Sequence, residues 1–173
     1  LIRRQRQMCI RDRSSMKPNI ENQTIEDCLR YLGSRQGYAL IGSNAVKILL
    51  KGKIPYKIEL TEPLEVICTK EVQHGCLKPI LPEQLEQSAL PASKIIQESS
   101  KLNYEGHKIR IAKLEHLIFL DLVLGHNYRK NAYNLIHFFG KQIDFEEIRC
   151  LLKLREDYDE LYAILAEAYY ELC

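Results

Sequence analysis

The spacing of apolar residues separates a mixed first part of the chain from a helical last part. In "TIEDCLRYLGS", Thr24 precedes apolar residues at helical spacing and Gly33 follows them, which predicts a helix. Beyond Lys113, helical spacing continues to the end in "LEHLIFLDLVLGH", "NAYNLIHFFG", "DFEEIRCLLKL" and "DYDELYAILAEAYYEL". The last third of the chain is therefore predicted to form four helices.

Short apolar runs between these parts predict strands. "YALIG" indicates a buried strand that leads into a helix over "NAVKILL", and "YKIEL" and "LEVICT" indicate two more strands. In "LNYEGHKIRIA", apolar residues on both sides of Glu105 and Gly106 predict a hairpin with Ile109 and Ile111 directed inward. "SKIIQES" fits either a helix or a strand.

Glycine and proline predict a loop after "LEVICT", before the predicted hairpin. Residues 70–92 contain Gly75, Pro79, Pro82 and Pro91, so we expect at most one helix there, over "PEQLEQSAL". These elements together predict an α/β (α+β) fold, in which helices flank a small mixed sheet and a C-terminal helical segment follows.

Charge is uneven along the chain and changes the interpretation of its beginning. Residues 1–15 hold five arginines and one aspartate, although the whole chain has a net charge of only +2. "MCIRDR" resembles a translated sequencing adapter, and helix signals follow Met16, so residues 1–15 are interpreted as a non-native extension. The rest is mildly acidic, which makes nucleic acid an unexpected partner. We divide it into a core at 16–112 and a helical region at 113–173.

Hydropathy and cysteine spacing indicate a cytoplasmic protein. No apolar run approaches the roughly 18 residues of a membrane span. The cysteines lack CxxC spacing, so we expect reduced thiols; they are Cys9, Cys28, Cys68, Cys76, Cys150 and Cys173. Cys68, His74 and Cys76 are close in sequence, but a structural zinc site needs four donors and no fourth is nearby. The other histidines show no spacing of paired metal ligands.

The sequence "IGS", at Ile41, Gly42 and Ser43, carries the first candidate chemistry. Glycine lets the backbone approach an anion closely, and the first N–H groups of a helix that starts near Asn44 would point at it. A Gly-Ser turn between a strand and a helix also commonly serves only to reverse the chain. The turn is therefore a candidate phosphate site, and the surrounding sequence has to distinguish it from a turn that only reverses the chain.

The context is a later strand with an acid, in "PLEV", and a helical tail that opens with "IRIAKLEHLIFLDL". This order of parts resembles the nucleotidyltransferase fold, in particular stand-alone domains related to the abortive-infection toxins of bacterial toxin–antitoxin systems. The resemblance covers roughly residues 23–155. It implies that Gly42, Ser43 and Asn44, with Lys130 from the tail, bind a nucleoside triphosphate.

The same resemblance implies a metal site, and here the sequence departs from the family. The family carries two acids two residues apart on a strand, which hold Mg²⁺ because alternate residues share one face. In this chain Pro63 stands where the first acid belongs, which leaves Glu65 as the metal ligand and catalytic acid. Glu62 and Glu59 are imperfect substitutes.

Other family positions are also altered. A third acid is implied on the later strand, where Arg110 stands, and the charged tail motif corresponds to Asp121, Lys130-Asn131 and Asn134. A packing role for "LEHLIFLDLVL", and for the tyrosines of the last segment, fits their dense apolar faces.

These observations favour a nucleotidyltransferase-like domain that has lost catalysis and acts by binding a nucleotide or a protein partner, such as an antitoxin or regulator. One alternative is an active enzyme that uses Mg²⁺ and a nucleoside triphosphate, with Glu65 and either Glu62 or Glu59, to modify a protein or RNA. Another is a structural domain without a ligand. No cofactor is expected if the site is degenerate.

Overall fold

The computed structural model describes residues 24–70, 74–80, 85 and 90–172. Within them the helices are α1 (Ile25–Gly33), α2 (Gly42–Leu50), α3 (Ala92–Gln97), α4 (Leu114–Val123), α5 (His126–Phe139), α6 (Phe145–Leu152) and α7 (Tyr158–Tyr170). The strands are β1 (Tyr38–Leu40), β2 (Leu64–Cys68), β3 (Leu77–Ile80), β4 (Ser100–Tyr104) and β5 (His107–Ile111). The predicted extension at 1–15 and most of "PEQLEQSAL" lie outside the described residues.

The strands form one mixed sheet in the order β3-β2-β1-β5-β4. β1 is antiparallel to β2 and parallel to β5, while β3 runs parallel to β2, and β4 and β5 form the hairpin. Beyond β5 the described chain is helical through Tyr170. The predicted fold class, a small mixed sheet with helices and a C-terminal helical segment, is confirmed.

The core joins the sheet to the C-terminal helices. All three residues of β1 are buried, and α4 buries residues on all sides, from His116 through Leu122. Helix α4 packs against α5 and α6, and α5 in turn contacts α2. A helix that is apolar all round belongs inside a protein rather than on its surface. The α4 segment therefore connects the sheet with the helical region, and none of the described helices is long and apolar enough to cross a membrane.

Local signals define several element ends as predicted. Thr24 caps α1 through a reciprocal hydrogen-bond pair with Asp27, and Asp144 caps α6 by accepting from the Glu147 backbone N–H. Glu105 and Gly106 both have positive φ, the conformation that a tight two-residue hairpin turn requires. Ile109 and Ile111 are buried, as the alternation predicted.

Two strand predictions were wrong. "YKIEL" is not a strand, because the chain from Lys57 to Leu60 forms a loop and the Thr61 backbone N–H is bound by a side chain instead of a neighbouring strand. Conversely, β3 lies in the region predicted to be a loop. Pro79 argued against a strand there, but β3 is at the edge of the sheet, where proline is tolerated.

The prediction of reduced thiols was wrong for one pair. Cys28 of α1 and Cys76, directly before β3, form a disulfide with Cα atoms 6.3 Å apart. Sequence spacing did not reveal the pair because 48 residues separate its members and only the packing of α1 on the sheet brings them together. Of the other described cysteines, Cys68 is buried and free and Cys150 is exposed and free.

Candidate functional site

The Gly-Ser turn lies where β1 leads into α2. The Ile41 N–H donates to the Glu65 carbonyl oxygen at 2.9 Å, which extends the β1–β2 pairing by one residue. Gly42 then takes φ +76°, and a Cβ atom there would collide with the Glu65 carboxylate. The positive φ favours glycine here, and any side chain would require the Glu65 carboxylate to move. The predicted turn and the predicted acid are thus in direct contact.

Asn44 fixes the loop that precedes β2. Its side chain is buried, donates to the carbonyl oxygens of Thr61 at 2.7 Å and Pro63 at 3.2 Å, and accepts from the Thr61 N–H at 2.9 Å. The amide therefore uses its polar atoms on backbone groups of this chain. Its predicted contact with a nucleotide stays a prediction, and its observed role is to hold the backbone at Thr61 and Pro63, directly before β2.

Unlike Glu65, the other two predicted acids do not belong to the strand that lies beside the turn. Glu59 and Glu62 are exposed residues of the loop before β2, and Pro63 lies outside the strand. Glu65 is the second residue of β2, and its side chain is only 12% exposed. The geometry brings together Gly42, Ser43 and Glu65.

Helix α5 covers this turn with two polar side chains. The Tyr128 hydroxyl donates to Glu65 Oε2 at 2.8 Å, and the Asn131 amide donates to Ser43 Oγ at 3.0 Å. Residues three apart lie on the same face of a helix, so one face of α5 contacts both β2 and the turn. The bond to Glu65, together with burial, raises the pKa of Tyr128 to about 12.

A buried acid lies behind the turn. Asp121 of α4 is fully buried, and neither of its carboxyl oxygens has a hydrogen-bond partner among the described residues. Burial raises the pKa of Asp121 well above its usual value, and the charge of Glu65 raises it further, whereas the nearby Asn131 amide acts in the opposite direction. The neutral acid is therefore favoured. We call Gly42, Ser43, Glu65, Asp121, Tyr128 and Asn131 the turn cluster.

Basic side chains contribute unequally to this region. Lys78 Nζ of β3 lies 4.0 Å from Glu65 Oε2, so it provides positive charge beside the carboxylate. Lys130 of α5 is exposed, and its predicted role in nucleotide binding stays a prediction. Arg110 donates to the Ser99 carbonyl and hydroxyl oxygens at 3.1 and 3.2 Å, so its guanidinium fixes the end of α3 to β5.

The turn cluster does not provide a magnesium site as it stands. Mg²⁺ prefers ionised carboxylates, and sites of this kind use one or two of them together with phosphate oxygens. Glu65 is one carboxylate, but the second acid near it, Asp121, is fully buried, and burial raises its pKa well above the usual value. The residues present therefore do not fit the ion that the family resemblance implies.

Sequence reasoning missed Tyr128 and Lys78 as members of this region. An i, i+3 pair of polar residues on one helix face gave a weak signal for Tyr128 and Asn131, but which surface this face contacts depends on tertiary packing. Asp121 had a stronger signal, because a single acid within the apolar run "LIFLDLVL" is unusual.

Comparison of the sequence with models of known protein families gives no match, and comparison with curated proteins gives none either. The likeness to nucleotidyltransferases thus depends on the residues and contacts described above.

Proposed function

We propose that this chain is a nucleotidyltransferase-like domain that binds a nucleotide at the Gly42-Ser43 turn without magnesium-dependent catalysis. The observation that carries the proposal is the contact between the Gly42 backbone, at the start of α2, and the carboxylate of Glu65. A strand, a glycine turn, a helix and one acid on the neighbouring strand match the resemblance in order, although its second and third acids are missing.

Anion binding at the turn is supported by the start of α2. The helix begins at Gly42, and the residue before it, Ile41, has no side-chain oxygen to cap the first N–H groups. Ser43 is exposed, so its hydroxyl and the helix end are open to solvent on that side. Free N–H groups at a helix start favour a phosphate group.

Loss of catalysis is supported by the number and the positions of the acidic side chains near the turn. Pro63 provides no carboxylate, Glu59 and Glu62 are exposed in the loop, and Asp121 is enclosed, with a pKa raised by burial. Lys78 offers a substitute for part of the metal's role, because its ammonium group offsets the charge of Glu65, which otherwise repels a triphosphate. Nucleotide binding should therefore be independent of magnesium.

The active, metal-dependent enzyme is a second candidate, favoured by one observation. The charge of Glu65 contributes to the raised pKa of Asp121, so the two carboxyl groups are near each other even though they come from different elements. For that candidate, Asp121 would have to ionise and become accessible to an ion held by Glu65. The experiment must therefore include arms with and without Mg²⁺.

Calorimetric titration with the four nucleoside triphosphates, each with and without Mg²⁺, tests the proposal. We expect at least one to bind with an affinity that changes less than about threefold on adding Mg²⁺, or about 0.7 kcal/mol. Ser43→Asp should abolish binding, because it adds negative charge at the turn. It should still fold, because acids stabilise helix starts. Ser93→Asp is the matched control, since Ser93 is likewise the exposed second residue of a helix, α3.

Two results would contradict the proposal. If no triphosphate binds, or Ser43→Asp binds as well as the parent, the turn is not a nucleotide site. If binding needs Mg²⁺, and incubation with radioactive triphosphate labels the protein or RNA in a way that Glu65→Gln removes, the chain is an active transferase.

A further inference from the structure

Three side chains with metal-ligating atoms meet beneath α1, away from the turn cluster. Cys28 Sγ, His74 Nδ1 and Cys76 Sγ all lie within 4.8 Å of one another. Cys28 belongs to α1, whereas His74 and Cys76 belong to the segment directly before β3. Both cysteines are buried and His74 is partly exposed. The cluster thus has two enclosed soft donors and one donor nearer to solvent.

The backbone and a ring contact hold these donors in place. The Leu77 N–H donates to the His74 carbonyl at 3.0 Å, and the Leu64 N–H of β2 donates to the Cys76 carbonyl at 2.8 Å. The Tyr31 ring lies against the His74 imidazole with centroids 4.5 Å apart. The position of the imidazole is therefore set by elements other than the cysteines.

The imidazole is placed as a ligand would be. His74 Nδ1 lies 3.3 Å from Cys28 Sγ and 3.8 Å from Cys76 Sγ. In a tetrahedral zinc site, Zn–S bonds of about 2.3 Å and a Zn–N bond of about 2.0 Å place nitrogen about 3.6 Å from each sulfur. The two observed distances lie on either side of this value. A disulfide alone needs no imidazole nitrogen facing both of its sulfurs.

We propose that Cys28, His74 and Cys76, once the disulfide is reduced, bind a thiophilic divalent cation, zinc, and leave its fourth position to solvent. Reduction by a phosphine or dithiol adds two electrons and two protons to the sulfur pair, and zinc then displaces the two thiol protons. The site uses no residue of the turn cluster, so it is independent of the proposed nucleotide function.

The ligand set differs from the one that sequence proximity suggested. Cys68 is a free, buried residue of β2 and is not a member of the cluster, and Cys28 takes its place. Zinc and the disulfide would make the same connection, between α1 and the segment before β3, in two redox states. Reduction of the protein then exchanges one cross-link for another instead of removing it.

Metal analysis of the full chain tests this inference. Protein reduced with a phosphine is loaded with Zn²⁺ or Co²⁺, passed through a desalting column and assayed for metal and for free thiols. We expect one zinc per chain, a melting temperature that rises with zinc and falls again with a chelator, and visible thiolate absorption for the cobalt form. Phosphine-free protein, with its disulfide intact, should hold no metal.

Variants decide which residues are ligands. His74→Ala should weaken zinc binding by at least about tenfold, since even changes outside the ligand shell of a zinc site cost about 10–100-fold. Cys76→Ser should do the same. Cys150→Ser and His137→Ala change exposed residues outside the cluster and should bind zinc like the parent.

Because Cys28 and Cys76 are buried, their variants carry a risk of unfolding, so the partly exposed His74 gives the decisive result, with circular dichroism to confirm folding. If reduced protein with both thiols titratable binds no zinc, or if folded His74→Ala binds zinc as tightly as the parent, the proposal is wrong. The pair is then a disulfide only.

Discussion

The Tyr128 hydroxyl donates a hydrogen bond of 2.8 Å to Glu65 Oε2 and so connects α5 to β2 across 63 residues of sequence. Its neighbour on the same helix face, Asn131, binds Ser43. The two contacts make α5 the cover of the turn, and they are the only described hydrogen bonds between that helix and these two residues. A phosphate oxygen can still accept from the Ser43 O–H while Asn131 donates to Ser43 Oγ, because a hydroxyl has one donor and two acceptor lone pairs.

Tyr128→Phe should lower the free energy of unfolding by about 1–2 kcal/mol, because the ring keeps its packing while a hydrogen bond to a charged group is lost. Urea denaturation at pH 7 measures the change. Tyr170→Phe alters an exposed hydroxyl of α7 and should leave stability within about 0.5 kcal/mol of the parent. Equal effects of the two substitutions would show that the bond to Glu65 does not contribute.

Asn44→Ala should destabilise the protein by about 2–4 kcal/mol. The substitution leaves the Thr61 N–H and the carbonyl oxygens of Thr61 and Pro63 without their partner in a part-buried site. Thermal and urea unfolding measure this loss. Asn127→Ala, at an exposed position of α5, is the control and should change stability little. A small effect at Asn44 would mean that water replaces the amide at little cost.

Asp121→Asn should stabilise the protein above pH 4, and by more as the pH rises. The pKa of Asp121 is raised in the folded state above its usual 3.8, so the folded protein keeps a proton that the unfolded chain releases. Stability from this group is fully present below about pH 4. It falls by about 1.4 kcal/mol per pH unit until the folded pKa is reached.

Urea denaturation of the parent and Asp121→Asn from pH 4 to 8 checks this prediction. Their difference should be small at pH 4 and grow toward pH 8, whereas the exposed-site control Asn127→Ala, which changes no titrating group, should give a nearly constant difference. A constant difference for Asp121→Asn would show that the carboxyl group ionises normally in the folded protein.

His116 should make the protein sensitive to mild acid. It is fully buried on α4, and burial, with the adjacent charge of Lys113, lowers its pKa from 6.5 to about 4, although Glu98 and Glu147 act in the opposite direction. The unfolded chain therefore binds a proton that the folded protein does not. Between pH 6.5 and 5 this costs up to about 2 kcal/mol of stability, and the loss continues to about pH 4.

His116→Leu removes the titrating group and fills the space with an apolar side chain, so the loss of stability between pH 6.5 and 5 should shrink by about 1–2 kcal/mol relative to the parent. Urea denaturation at the two pH values measures it. Asn127→Leu, at an exposed position of α5, removes no titrating group and should keep the parent's pH dependence. An unchanged pH dependence in His116→Leu would mean that other groups cause it.

The fold could be predicted wherever the signal is local. The caps at Thr24 and Asp144 and the turn at Glu105 and Gly106 depend on residues a few positions apart, and their elements form as predicted. The errors have a different origin. "YKIEL" has a strand pattern, but the buried Asn44 amide binds the adjacent Thr61 backbone, so no strand forms there. Pro79 argued against a strand, but β3 forms because it lies at the edge of the sheet.

The candidate site likewise contains some residues that local sequence could identify and others that it could not. Gly42, Ser43 and Glu65 could be identified because a turn and an adjacent strand carry them. Tyr128 could not, since nothing in the sequence says that its helix face covers that turn. The pair of Cys28 and Cys76 is the extreme case, with 48 residues between sulfurs that only packing joins.

Because Asp121 of α4 is enclosed near Glu65, the turn cluster should respond differently to a bound cation and to a bound anion. The charge of Glu65 contributes to the raised pKa of Asp121. A cation that neutralised Glu65 would lower that pKa and favour proton release, whereas an anion at the turn would favour the protonated acid. The heat of cation binding would then include the ionisation enthalpy of the buffer. Sulfate, an anion that does not titrate near neutral pH, would show no such dependence, so a comparison of buffers distinguishes the two.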